Sequence, residues 1–416
     1  MSNYKLHTPN GVNDILPDER AVKKEIEQTI GEVFRASAYC EVETPMFEYY
    51  DCYLGRDGQI SQENLYKFFD EQGRVLSLRP DFTTSIARMA ATKEYDKPLP
   101  LRYMYNGSVF RTEQTEGARR REFTQSGIEL IGSYSAKADA EVIALTIEAL
   151  ISCGIEEMSI EIGQVGFFNG LVLQTGLDTQ NAERLRERID SKDVVGIREI
   201  LADIDMDKDI KSLIVELPYL FGGVEILDKA NLDGLNKTSK SALDNLREIY
   251  NILCDYGFSD YVSLDLGMLQ DIDYYTGVIF KGYTHGVGFP ICAGGRYDNL
   301  MSNFGTQMGA VGAAIGVNRV MSAIDASYGR ENDVIMLYAE DNKRAIEAAR
   351  LFCEQEYTVE NYIENGTYND ALELCKRKNI SALVKVAKNG EIEIFDLLTG
   401  ETTKTGMSEF KDEFDF

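Results

Sequence analysis

Two runs between residues 100 and 133, PLRYMYNGSVFRTE and RREFTQSGIELIGS, alternate apolar and polar side chains and are joined by the polar, glycine-containing QTEGARR. Alternation at period two marks a half-buried strand, and two such runs on either side of a short polar link form a long antiparallel hairpin. Its surroundings are legible in the same way. ERAVKKEIEQTIGEVFRASAY (19–39) sets Val22, Ile26, Ile30, Val33 and Phe34 on one helical stripe, and the extended EVETPMFEYYD follows it. Beyond the hairpin, AKADAEVIALTIEALISCG is an amphipathic helix stopped by Gly154, and MSIEIGQVGFF returns to strand.

From 171 to 250 the texture changes to charged helical segments such as TQNAERLRERIDSKDVVGIREILADI, which predict a helical insertion. Strand signals resume at YVSLDLGML, continue as strand, turn and strand through KGYTHGVGFPICAGGRYDNL, and end in GAVGAAIGVNRVMSAI, a glycine-rich strand running into a helix. A polar hinge near GRENDV (329–334) precedes alternating strand and helix patterns. These predict a small C-terminal α/β domain over 331–416 with a mainly parallel sheet.

Composition removes several classes of function. No apolar run approaches the length of a membrane span, and MSNYKLHTPNG has no leader-like pattern, so the chain is expected to stay in the cytoplasm. Seven scattered cysteines without a CxxC read as buried small hydrophobes rather than a disulfide framework or thiolate zinc site, and His7 and His285 are too few for a histidine-rich one. No metal or cofactor is expected. The formal net charge of −26 disfavours nucleic acid, which is gripped through its phosphates by Lys and Arg. Neither part compensates: residues 331–416 hold 10 Lys+Arg against 19 Asp+Glu, and residues 1–330 hold 33 against 50.

The chemistry concentrates on the hairpin and two later segments. Arg111, Glu113, Arg119, Arg120 and Arg121 fall near one another on paired strands, where the planar guanidinium suits phosphate or carboxylate oxygens. DIDYYTGVIF and CAGGRYDNL add paired tyrosines, aspartates and glycines, a composition suited to a small polar ligand. Read in order, GVNDILPDE (11–19), SLRPDFTTSIAR (77–88), FRTE with REFTQSGIELIG (110–132), DIDYYTGVIF, CAGGRYDNL and GAAIGVNR (312–319) resemble the catalytic core of histidyl-tRNA synthetase, a class II synthetase, over about residues 5–325. The C-terminal unit resembles a shortened anticodon-binding domain.

The resemblance implies an α+β fold: a class II synthetase-like core over 1–170 and 251–327, an antiparallel sheet flanked by helices, with the helical insertion at 171–250. It further implies a homodimer built partly through the segment around Pro45. It places a histidine pocket at Asp81 and Thr83 for the ammonium group, Gln125 and Glu129 on the second hairpin strand, Tyr274 and Tyr275 beside the imidazole, and Arg111 close by. Arg121 and Arg319 fall on the anion or nucleotide side. Two positions depart from the synthetase: Gln270 stands where an arginine supports carboxylate activation, and Asn318 where an acidic residue precedes the last arginine. Asp81 and Phe82 replace a glutamate and a glycine.

Loss of one group that stabilises developing charge costs on the order of 100- to 1000-fold in rate, so the site reads as kept for binding and disabled for adenylation. In this the chain resembles the regulatory subunits of ATP phosphoribosyltransferase. That family implies no catalysis of its own, a hetero-oligomer with a short-form catalytic subunit, and histidine feedback on the first step of histidine biosynthesis. L-histidine is then a candidate effector and tRNA is not an expected partner. In its usual description the family lacks the C-terminal unit. The alternative is an active histidyl-tRNA synthetase, favoured by the surviving Arg111, Arg121, Glu129 and Arg319.

Overall fold

A computed structural model describes residues 4–54, 62–112, 120–269, 275–324 and 334–407. They divide into two compact units, Met1–Ala326 and Ser327–Phe416. In the first, α1 (Pro17–Ala36) begins with a proline, whose missing N–H is unneeded in a first turn, and buries Val22, Ile26, Ile30 and Phe34 with Val33 half-buried beside them. After α2 (Thr83–Lys93), the hairpin strands β1 (Leu101–Phe110) and β2 (Glu122–Ile131) pair antiparallel from Leu101 opposite Ile131 to Phe110 opposite Glu122. Helix α3 (Ala136–Ser152) follows, capped by the Ser135 side chain, and Gly154 just beyond it takes a left-handed φ of 87°.

The remaining long strands are β3 (Met158–Gln164), β4 (Val278–Thr284), β5 (Cys292–Arg296) and β6 (Ala310–Gly316). Among the described residues the main sheet has nine strands in the order Cys40–Glu41, β1, β2, β6, β5, β4, β3, Val262–Asp265, Phe221–Gly222. It is antiparallel except where Cys40–Glu41 joins β1 and Val262–Asp265 joins β3. Even-numbered residues of β2, such as Ile128 and Leu130, pack towards α1 and α3. Odd-numbered residues of the hairpin, Tyr103, Tyr105 and Ile131, lie on the opposite face with Phe82 and Ile86. The larger core does not stop at the sheet: Ile160 and Phe280 share one cluster with Phe167, Leu185, Ile197, Leu213 and Leu246 from the helices between 165 and 255.

Two details differ from expectation here. In MSIEIGQVGFF the strand ends at Gln164 and a helix starts at Val165, because the Gln164 side chain accepts the Gly166 N–H at 3.2 Å and caps the new helix. The cysteines are mostly not buried. Cys292 and Cys375 are, but Cys40 on the sheet edge and Cys353 on a helix are exposed, and the other three are intermediate.

Arg296 at the end of β5 is 6% exposed, and its charge is answered on every side. Its Nε and Nη2 donate to Asp139 Oδ1 of α3 at 2.9 and 2.6 Å. Its Nη1 donates to Ser133 O at 2.8 Å and to Asp298 Oδ1 at 2.9 Å.

The second unit contains β7 (Val334–Ala339), β8 (Thr358–Asn361), β9 (Ala382–Val386), β10 (Glu391–Asp396) and β11 (Thr402–Gly406), in the order β8, β7, β9, β10, β11. The sheet is half parallel rather than mainly so: β8 and β9 flank β7 in parallel, while β10 and β11 are antiparallel. A helical crossover is needed only for the parallel pairs, and Gly390, at a φ of 86°, lets β9 return directly into β10. In β11 the sequence TTKTG lacks the apolar alternation that reveals a strand. Leu351 and Phe352 of helix Asn342–Glu354 pack with Ile335 and Leu337 on one face, while Ala371 and Cys375 of helix Tyr368–Lys378 pack with Met336 on the other.

Candidate functional site

Strand alternation carries the odd residues of β2, Phe123, Gln125 and Glu129, into a cavity of about 190 Å³ on the α2 side of the sheet. Small residues of β6 make the room. Gly312 lies directly opposite Glu129, and a Cβ there would come within 1.7 Å of Glu129 Oε2. The far wall combines Asp81 and Thr83 from the start of α2, Tyr105 from β1, Tyr275, and Tyr297 just after β5.

Glu129 is 1% exposed. Thr83 Oγ1 donates to its Oε1 at 2.7 Å, and the Tyr297 hydroxyl donates to its Oε2 in a short bond. Burial pushes the Glu129 carboxyl up to about 8, the two hydroxyl donors pull it down, and the neighbouring Asp81 raises it further. Asp81 is also raised by burial, partly offset by the Arg111 charge, and its Oδ1 accepts the Thr84 N–H at 3.1 Å. It therefore acts as a cap for α2 and as a wall of the cavity at once. Gln125 contributes a buried Oε1 that accepts no hydrogen bond from the described residues.

The lining also holds three cations, Arg111, Arg120 and Arg319. Arg111 Nε donates to Pro80 O at 2.9 Å while its guanidinium lies over the Phe123 ring at 5.6 Å. Arg319 donates to Pro290 O, and burial together with repulsion from Arg111 lowers its affinity for its proton. Asn318 is engaged by the backbone, its Oδ1 accepting the Thr124 N–H at 2.8 Å. The cavity thus combines an acid end around Glu129 with arginines, Arg111 lying close enough to Asp81 to lower its carboxyl, which favours a ligand carrying an ammonium and an anion.

The structure brings together Asp81, Thr83, Arg111, Gln125, Glu129, Tyr275, Asn318 and Arg319. Arg121 is not in the lining; its backbone pairs with Gly11 and Arg111, and Arg120 faces the cavity beside it. Gln270, Tyr274, Glu113 and Arg119 lie outside the described residues. Tyr297 is a functional candidate that sequence reasoning did not single out. Its signal lay in CAGGRYDNL, between the two charged residues of the RYD triplet, but only the fold shows which of the three reaches Glu129. Among the described residues no cluster of His, Cys, Asp and Glu fits a metal ion, and no helix is long and apolar enough to cross a membrane.

The raised carboxyls predict a pH dependence of stability. Glu129 and Asp139, the latter pushed up by burial to about 6, hold protons in the folded chain that the unfolded chain has released. Their contribution is complete below the ordinary carboxylate range and is lost as pH rises towards 6 for Asp139 and 8 for Glu129, at up to about 1.4 kcal/mol per pH unit per proton. Urea midpoints measured from pH 5 to 9 should fall more steeply in the wild type than in Glu129→Gln. Equal slopes would contradict the assignment.

The family model for histidyl-tRNA synthetase matches residues 11–320. A relative from Acetivibrio thermocellus, described as an ATP phosphoribosyltransferase regulatory subunit, is 44% identical over 98% of this chain and 99% of its own. The C-terminal unit is thus shared with such relatives rather than peculiar to this chain. A crystal structure from Bacillus halodurans, described as an ATP phosphoribosyltransferase regulatory subunit/histidyl-tRNA synthetase, superposes with a TM-score of 0.83 at 33% identity, covering 93% of this chain and 99% of that one. Histidyl-tRNA synthetase from a Nostoc species shares the fold at 20% identity, with a TM-score of 0.79 over 98% and 99% of the two chains.

Proposed function

The chain belongs to the ATP phosphoribosyltransferase regulatory subunit family, built on a histidyl-tRNA synthetase domain, and from that membership we propose that it works as a histidine receptor without catalysis of its own. It is a regulatory subunit in the first step of histidine biosynthesis. Its catalytic partner, in this reading, is a short-form ATP phosphoribosyltransferase held in a hetero-oligomer. The observation that carries the receptor reading is the mixed charge of the cavity lining: Asp81, Thr83 and Glu129 suit an amino acid's positive nitrogen, and Arg111, Arg120 and Arg319 suit its carboxylate.

The absence of adenylation is supported by Asn318, a neutral amide committed to the Thr124 backbone, and by the Gln270 substitution in the sequence. Gln125, Tyr275 and, from the sequence, Tyr274 complete the proposed histidine contacts. A homodimeric unit is supported by the small sheet of Phe47–Tyr49, Lys67–Phe69 and Val75–Leu78 beside Pro45, where Phe47 is 51% and Phe69 72% exposed. The synthetase-like core is proposed to span 1–170 and 251–327. The acidic unit at 331–416 is then a shortened anticodon-type domain with no tRNA to hold.

Mixing the chain with a short-form catalytic subunit should give co-elution and faster phosphoribosyl-ATP formation, and neither occurring would defeat the proposal. The surviving Arg111, Glu129 and Arg319 favour the synthetase alternative, which predicts histidine-dependent exchange of pyrophosphate into ATP by the chain alone. Glu129→Gln is expected to weaken histidine binding about 10- to 100-fold, the range for losing a charged hydrogen bond, and to blunt feedback correspondingly. Unchanged inhibition would put the effector site elsewhere.

A further inference from the structure

The acid end of the cavity holds a carboxyl with an unusual set of neighbours. From α2 and its start come Thr83 and Asp81; from β1, Tyr105; from the residue after β5, Tyr297; from β6, Gly312, which pairs with Glu129. From behind, Tyr39 senses Glu129 through the sheet. Arg111 acts electrostatically on Asp81. The described partners of Glu129 are thus two hydroxyls, and the charge seen to act on it is the Asp81 carboxylate. A buried carboxylate in such company is costly, and taking up a proton neutralises it.

We propose that Tyr297 is a positioning residue that fixes the Glu129 carboxyl in one orientation, and that a ligand's positively charged nitrogen enters the acid end by exchange for the proton that Glu129 holds in the empty cavity. This rests on the histidine reading only for the identity of the ligand. The exchange selects for a charge as well as a shape, since a neutral isostere cannot release the proton and gains no ion pair. It also grades occupancy with pH. Below the Glu129 midpoint, near 8, each unit of acidification weakens a singly charged ligand by up to about tenfold. The Tyr297 bond pulls the midpoint down and so eases the exchange.

Two measurements on the full-length chain test this. In the first, carboxyl-carbon NMR of the empty protein labelled on glutamate is followed from pH 5 to 10. One resonance, missing in Glu129→Gln, should titrate near 8 and move upward in Tyr297→Phe. Titration in the ordinary carboxylate range, or no movement in Tyr297→Phe, overturns the proposal, and a merely structural role for the tyrosine would not move it. In the second, calorimetry with L-histidine in two buffers of different ionisation enthalpy counts protons. About nine-tenths of a proton should be released per histidine at pH 7, and the release should fall away as pH rises past 8. Binding with no buffer dependence at pH 7 overturns the exchange. If histidine does not bind, the receptor reading fails, and the NMR titration alone then decides the state of Glu129.

Discussion

Arg296→Met is expected to destabilise the first unit by about 3–5 kcal/mol, the range for breaking a buried ion pair by removing one partner. Arg296 is 6% and Asp139 1% exposed, so deletion of the cation leaves a carboxyl that water barely reaches. It also strands the Ser133 carbonyl and loosens Asp298, whose Oδ1 additionally accepts the Ala310 N–H at 3.0 Å. Asp139 is pushed up to about 6 because burial outweighs the arginine beside it, so removing that arginine raises it further, and proton uptake by the carboxyl limits the cost of the bare charge. Urea unfolding of the full chain, followed on a probe in the first unit, gives the number. The double variant Arg296→Met, Asp139→Leu should recover most of the loss, because an apolar pair of similar volume leaves no unpaired charge. A single variant that loses less than about 1 kcal/mol would mean that the pair does not hold α3 to β5.

Gly312→Ala is expected to abolish histidine binding at concentrations that saturate the wild type. The new methyl would sit 1.7 Å from Glu129 Oε2 and 2.8 Å from the Ile128 carbonyl, so the carboxylate must swing away and the two strands must part slightly. The first movement breaks the Tyr297 and Thr83 bonds that orient Glu129, and the second widens the sheet at the cavity floor. Overpacking of this kind typically costs about 1–3 kcal/mol, which lowers the melting point without unfolding the chain. Binding lost in a folded variant is the expected result, seen by calorimetry alongside circular dichroism. Binding retained within tenfold of the wild type would show that the ligand does not depend on the acid end. The contrast with Glu129→Gln is informative, since that variant keeps the shape and removes only the charge.

The hairpin and the helices about it were legible because their side-chain period is set by backbone geometry, which no tertiary contact reverses. Asp81, Thr83, Arg111, Gln125 and Glu129 could be named because the segments that carry them resemble a known family, and alternation then puts Gln125 and Glu129 on one face. What stayed hidden depends on contacts between distant parts of the chain. Tyr297 reaches a residue 168 positions away, and nothing local distinguishes it from other strand tyrosines. The same holds for Gln164, where one side-chain cap turned an apparent strand into a helix, and for TTKTG, a strand that pairs without any apolar signal. The parallel bias expected of the C-terminal sheet failed because strand alternation reports faces and says little about direction.

Because Leu185, Ile197, Leu213 and Leu246 belong to the same apolar cluster as Ile160 and Phe280, the stretch from 165 to 255 is no detachable module. Cutting it out would expose the inner surface of the sheet to solvent, so a truncated chain joined across that gap should aggregate rather than yield a smaller soluble receptor. A perturbation that reaches these helices is for the same reason felt at the sheet that floors the cavity, since both draw their cohesion from one interior.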